Sequence, residues 1–220
     1  MRIQGLMNSR AGRGAVLLAL PAVAVGVAAT QSSAEVGAHS AKAVTNKFFP
    51  LKPGTIYTYH TTGGKKTVVK VLQARKVIQG RSSTGVDTGE FEGGKRTEHF
   101  VDWYWQDSKG TVWYMKHRSA RKGESWTAGK SGAKRGIMMK AHPKVGQRYK
   151  LTSAGGAGSQ AGGAGQDRAR VYSVSKTRVK IKVTSKYYPE TVRFIYKVNV
   201  GLYKILDKSE VTTLKSVKKP

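Results

Sequence analysis

Short runs in which apolar and polar residues alternate with a period of two dominate the chain from residue 48 onward. This period places successive side chains on opposite faces of an extended strand, and glycine, aspartate, serine and lysine separate the runs. No segment after residue 34 has a sustained helical period. The pattern predicts an all-β domain over residues 47–220, with a single antiparallel sheet that is strongly curved or forms an incomplete barrel.

Two hairpins are predicted in the first half of the chain. TIYTYH at 55–60 and KKTVVKVLQARKVI at 65–78 flank a Gly-Gly pair, and the runs at 96–106 and 111–117 flank the turn DSKG at 107–110. Aspartate at the first and glycine at the last of four turn positions is the preference of a type I turn. Strand patterns return at 148–152 and continue from 169 to 217.

Two segments interrupt the alternation. Residues 119–146 contain five glycines and a proline, and their apolar cluster is Ile137-Met138-Met139. We expect a long ordered loop here that carries Trp126 and lies over the mouth of the sheet. The run GGAGSQAGGAG at 155–165 predicts a flexible loop, because its flanks are strand-like and no amphipathic helix follows it.

Basic side chains segregate onto one face of the later strands. In RVKIKV at 178–183 the basic and β-branched residues alternate. In VRFIYKV at 192–198, Arg193 and Lys197 point away from the face that carries Val192, Phe194, Tyr196 and Val198. Such strands predict a sheet with one buried and one solvated face. The candidate binding residues for an anionic partner are Arg178, Lys180, Lys182, Arg193 and Lys197.

The chain is strongly basic, with 40 lysines and arginines against 12 acids and a net charge of +28. Three of the basic residues lie before residue 35 and none of the acids does, which leaves +25 for residues 35–220. A charge of this size draws polyanions to the surface, and it is also compatible with a solvated surface suited to an acidic or salty habitat.

The first 34 residues have the layout of a secretory signal peptide. Arg2, Arg10 and Arg13 precede the uncharged run AVLLALPAVAVGVAA at 15–29, and small and polar residues follow. The run is shorter than the roughly 20 apolar residues of a membrane-spanning helix. We expect a signal helix, cleavage after Ala29 or Ala34, a flexible leader at 35–46 and a bacterial extracytoplasmic location. The absence of cysteine excludes disulfides and thiolate chemistry.

Aromatic residues cluster in the second hairpin. Trp103 and Trp105 share one face of their strand, and Trp113 follows the turn. Aromatic side chains in strands usually pack into a core. Exposed beside Lys116 and Arg118, they would form a stacking platform. The candidate lining of an apolar ligand site in the concavity is Trp103, Trp105, Trp113, Met138 and Met139.

Catalytic and metal motifs are absent from the sequence. The five histidines show neither HxH nor HExxH spacing, and no G-x-S-x-G is present. A hydrolase would have to use Glu98, His99 or Asp102, for which no motif exists. We therefore expect a protein that is not an enzyme, with no metal and no cofactor.

Three segments carry a family resemblance. They are NKFFPLKPGT at 46–55; DWY at 102–104 with GTVWY at 110–114 and the loop that follows; and VGL at 200–202. Together they resemble a family of uncharacterised secreted bacterial proteins with an FPL-x-PGT opening. The resemblance implies an exported, β-rich single domain similar to the half-barrel of lipoprotein carriers, and implies no reaction. The basic residues in the 126–140 loop and the C-terminal strands depart from the family.

The first expectation for function is a non-enzymatic exported protein whose cationic face associates with anionic polymers or anionic membrane surfaces, without specific nucleic-acid recognition. The alternatives are a carrier of an apolar small molecule or lipid in the concavity, and a hydrolase. The oligomeric state stays open.

Overall fold

The computed structural model describes residues 43–120, 125–151, 167–185 and 191–220. The expected signal peptide, the leader up to residue 42 and the glycine-rich segment 155–165 lie outside the described residues. Within them the chain forms thirteen strands and no helix, and all strands join one antiparallel sheet. The predicted all-β antiparallel class is confirmed, and the sheet does not close into a barrel.

The sheet consists of two meanders joined along β1 and β13. Its strand order is β6-β5-β4-β3-β2-β1-β13-β12-β11-β10-β9-β8, and β7 also pairs with β5. The strands are β1 Ile56–Thr61, β2 Lys65–Ile78, β3 Arg81–Glu92, β4 Lys95–Gln106, β5 Val112–Ser119, β6 Trp126–Thr127, β7 Gly136–Met139, β8 Arg148–Lys150, β9 Arg168–Val174, β10 Arg178–Thr184, β11 Val192–Lys197, β12 Gly201–Leu206 and β13 Val211–Lys218.

Strand β3 is a long strand that the alternation pattern does not predict. Its sequence, RSSTGVDTGEFE, is polar and contains two glycines, which are unfavourable inside a strand. It nevertheless pairs with both β2 and β4. A Cβ on Gly85 would lie 2.9 Å from Leu72 Cδ1 and 3.4 Å from Trp103 Nε1. The glycine therefore makes room for large side chains from the two neighbouring strands.

The stretch expected as a long loop is partly sheet. Of its described residues, Trp126–Thr127 and Gly136–Met139 form β6 and β7, and both pair with β5. Met138 and Met139 are buried, as is Trp126. The strands are short because turns with glycines at positive φ separate them, so the sequence around them lacks a sustained alternation.

The N-terminal segment packs inside the sheet. Phe49 contacts Tyr104 of β4 and Tyr196 of β11, with ring centroids 5.2 and 6.3 Å apart. These strands are six positions apart in the sheet order, which in a flat sheet would separate them by about 29 Å. The sheet therefore bends around Phe49, and we call the side that faces this ring the inner face and the other side the outer face.

The folded domain begins earlier than the sequence indicates. Val44 and Asn46, which lie in the expected flexible leader, are 3% and 6% exposed. Val44 forms a bridge with Leu51. The Asn46 side-chain amide donates hydrogen bonds to the carbonyls of Gly110 and Lys140. These contacts attach the segment to the second hairpin and position Phe49 against the inner face.

Candidate functional site

The predicted anion-binding residues share the outer face of β10 and β11. Val179, Ile181 and Val183 are at most 2% exposed, whereas Arg178 and Lys182 are exposed and Lys180 is half-buried. On β11, Arg193 and Lys197 are exposed, whereas Val192, Phe194 and Tyr196 are buried. The alternation places the apolar side chains in the core and the cations in solvent.

Strand pairing adds two further cations to this surface. Arg148 of β8 pairs with Arg170 of β9, Arg170 pairs with Lys182, and Lys182 pairs with Arg193. Residues that pair across neighbouring strands point to the same face and lie about 5 Å apart. Arg148, Arg170, Lys182 and Arg193 therefore form one line across four strands, the cation row. Arg178 and Lys197 form a second cross-strand pair beside it.

No acid balances the cation row within the part of the chain that the structure describes. Strands β8 to β12 contain no aspartate or glutamate, and none of the row's members forms an ion pair with a described residue. Like charges directly opposite one another destabilise a sheet. The surface is thus a site where bound anions would relieve repulsion that the fold itself leaves in place.

Two tyrosines lie among these cations. Lys182 Nζ is 5.4 Å from the ring centroid of Tyr172. Arg178 Cζ and Lys197 Nζ are 5.9 and 6.0 Å from the ring of Tyr203. Cation–π attraction offsets part of the repulsion and holds the charged groups close to the sheet.

The five residues predicted to line an apolar ligand site do not surround one cavity. An apolar cavity of about 50 Å³ lies on the inner face, lined in part by Phe49, Tyr104 and Tyr196, and Met138 also lines it. Met139 is buried beside Val112. The three tryptophans lie on the outer face: Trp103 and Trp105 flank the inward-facing Tyr104, and Trp113 pairs with Trp105.

A polar network is buried on the inner face beside this cavity. His117 Nδ1 donates to Asp102 Oδ1 at 2.6 Å, and the Tyr114 hydroxyl donates to the same oxygen at 2.6 Å. Tyr104 donates to Oδ2 at 3.4 Å. Burial on its own raises the pKa of Asp102, but the charge and hydrogen bond of His117 and the hydrogen bond of Tyr114 outweigh it, so the pKa is lowered. Asp102 is therefore ionised at neutral pH.

The residues considered for a hydrolase do not converge. Asp102 and His117 have no exposed surface, so neither reaches a substrate in this conformation. Glu98 is four residues from Asp102 on β4, which places them about 13 Å apart. His99 lies on the other face and contacts Asp87, with Nε2 and Oδ2 3.0 Å apart. Within the described ranges no group of three or more histidines or acids is placed to hold a metal, and no helix is long and apolar enough to cross a membrane.

A second carboxyl pair joins β3 and β4. Glu90 faces Glu98 across the strands. Burial of Glu90, followed by the charge of Glu98 and a hydrogen bond with it, raises the pKa of Glu90 from 4.5 to about 7. Glu98 is on the inner face because it is an even number of residues from Asp102 on β4. Glu90 is on the same face because it pairs with Glu98. The pair is a local source of repulsion at neutral pH.

Replacing Glu90 with glutamine is expected to stabilise the protein above pH 7. Between pH 4.5 and 7 the folded state retains a proton that the unfolded chain has released, so stability falls as the pH rises through this window. We expect Glu90→Gln to raise the free energy of unfolding at pH 8 by about 1–3 kcal/mol, with little gain at pH 4. Urea unfolding at several pH values between 4 and 8 measures this change in the free energy of unfolding. The exposed Glu92→Gln is the control, and an equal gain in both variants would contradict the explanation.

Sequence reasoning missed Arg148 and Arg170 as members of the cation row. The alternation in RAR at 168–170 places Arg170 on an outer face, so that signal was present in the sequence. Arg148 is on a three-residue strand, and only the pairing of β8 with β9 aligns it with the others. No family model, curated protein or solved structure matches the chain.

Proposed function

We propose that this is an exported, non-enzymatic protein whose outer face, over β8 to β11, binds anionic polymers or anionic surfaces of the cell envelope. The observation that carries the proposal is the cation row, four aligned basic side chains on adjacent strands with no acidic partner among the described residues. The expected signal peptide supports the location outside the cytoplasm.

The arrangement favours an extended partner over a compact one. Cross-strand neighbours are about 4.8 Å apart, so the cation row extends for roughly 14 Å. A linear polyanion that lies along the row can contact several cations at once and release their counterions. Binding of this kind weakens steeply as salt is added, and the charges interact over about one Debye length.

Charge reversal on the outer face tests the proposal. We expect the unmodified protein to be retained on immobilised heparin and to elute only at raised salt. Lys180→Glu with Lys182→Glu should elute at much lower salt, because two repulsive charges replace two attractive ones. The matched control is Lys95→Glu with Lys109→Glu, which changes the net charge equally at two exposed positions outside this face. Retention that does not change with salt, or an equal loss in the control, would overturn the proposal.

The second candidate is a carrier of a small apolar molecule. The observation in its favour is the apolar cavity on the inner face, which Met138 lines as the sequence suggested. Ligand pockets for drug-sized molecules measure about 300–1,000 Å³, so a cavity of about 50 Å³ would accept such a ligand only after side chains that line it moved. This candidate ranks second for that reason.

A further inference from the structure

Three cations surround one tryptophan on the outer face of the other half of the sheet. The ring centroid of Trp103 is 5.3 Å from Lys116 Nζ, 5.9 Å from Lys76 Nζ and 5.9 Å from Arg118 Cζ. Trp103 is 8% exposed, so the cations and neighbouring side chains cover its indole. We call these four residues the Trp103 cluster.

The sheet register brings this cluster together. Lys116 of β5 is the cross-strand partner of Trp103, and Arg118 follows it on the same face. On the other side of Trp103, its partner in β3 is Gly85, which has no side chain. This gap leaves Trp103 accessible to Lys76 of β2, which would otherwise be separated from it by a side chain of β3.

No side chain of the cluster forms an ion pair with an acid of the described chain. Asp87 is engaged by His99, and Asp107 accepts a hydrogen bond from Trp113 Nε1 at 2.9 Å. Burial lowers the pKa of Lys116, and the charges of Lys76, Arg118 and Lys130 lower it further. Mutual repulsion of this kind is relieved when an anion binds between the cations.

We propose that the Trp103 cluster binds a phosphate group, carried by a free phosphate compound or by a lipid headgroup. Cations that converge on one point favour a compact group with more than one negative charge. A guanidinium supplies paired donors to phosphate oxygens, and ammonium groups act as point charges beside it. The site is separate from the cation row, whose nearest strand, β11, lies six positions from Trp103 and four positions from Lys76 in the sheet order, and it does not depend on the proposed polymer binding.

Titration with inorganic phosphate, pyrophosphate and vesicles tests this site. The vesicles contain phosphatidylcholine with or without phosphatidic acid, and binding is followed by calorimetry and by tryptophan emission. Lys116→Gln with Arg118→Gln is expected to weaken binding by about tenfold or more, since charge-assisted hydrogen bonds are lost. The control, Lys95→Gln with Lys109→Gln, removes the same charge at two exposed positions outside both sites and should bind as the unmodified protein does. Trp103→Phe should remove most of the change in tryptophan emission and leave the heat of binding unchanged.

The outcomes separate the two sources of phosphate and the two proposals. Binding of both free anions and phosphatidic acid vesicles supports the site for either source. Binding of vesicles alone, weakened in the Lys116 and Arg118 double variant, assigns the lipid headgroup, and binding of free anions alone assigns the soluble compound. No binding in any arm, or equal weakening in the control, overturns the proposal. The Lys116 and Arg118 double variant should keep its heparin retention, so a failure here is distinguishable from a failure of the polymer-binding proposal.

Discussion

Replacing Asp102 with alanine is expected to lower the free energy of unfolding by about 3–5 kcal/mol, because it removes a buried carboxylate and leaves two buried donors without their acceptor. Asp102 has no exposed surface and accepts hydrogen bonds from His117 and Tyr114, each at 2.6 Å. Without the carboxylate these donors stay buried with no acceptor at its position. Because domains of this kind are stable by only about 5–15 kcal/mol, the variant loses a large part of its stability. Chemical denaturation with urea measures the loss.

Two further variants keep this prediction testable if Asp102→Ala does not fold. Tyr114→Phe removes one hydrogen bond to the carboxylate and should cost about 1.5–3 kcal/mol. Asp207→Ala, at a partly exposed turn, is the control and should stay within about 0.5 kcal/mol. If Tyr114→Phe costs no more than Asp207→Ala, the network does not support the fold.

The same network determines a pH dependence. The lowered pKa of Asp102 means that its stabilisation is fully present above the unfolded-state pKa of about 3.9. It is lost as the pH falls through the lower pKa of the folded state. Asp102→Asn, which carries no charge, should lack this part of the acid transition.

Replacing Phe49 with alanine is the second large effect, with an expected cost of about 3–5 kcal/mol. Phe49 contacts rings from both halves of the sheet and lines the inner cavity. Its loss removes contacts from both sides and enlarges the cavity of about 50 Å³. The conservative Phe49→Leu should cost less than about 1.5 kcal/mol. Thermal and urea unfolding of the two variants should show a larger loss of stability for Phe49→Ala than for Phe49→Leu.

The enlarged cavity also discriminates between the two functional candidates. Apolar cavities in protein cores remain dry and bind small probes such as benzene. We expect benzene to raise the melting temperature of Phe49→Ala and to leave the unmodified protein unchanged. A comparable rise in the unmodified protein would favour the carrier. Thermal shift is the suitable readout, because Trp103, Trp105 and Trp113 are on the outer face and do not report directly on the cavity.

The sequence alone determined the strands in which one face is buried. In β10 and β11 the alternation of cations with Val179, Ile181 or Phe194 is a local property, because each strand must bury one face of its own side chains. The turn at 107–110 could also be predicted from the sequence, because Asp107 stabilises it locally by accepting hydrogen bonds from the backbone amides of Lys109 and Thr111.

Only the tertiary structure decided which side chains meet. Strand β3 has no alternation of its own, and it is a strand because β2 and β4 supply partners for its backbone on both sides. The alignment of Arg148 with Arg193 and the burial of Asp102 between His117 and Tyr114 depend on register, which joins residues that are far apart in the chain. Periodicity specifies which face a side chain occupies; long-range pairing specifies its neighbours, and the chemistry of this surface depends on those neighbours.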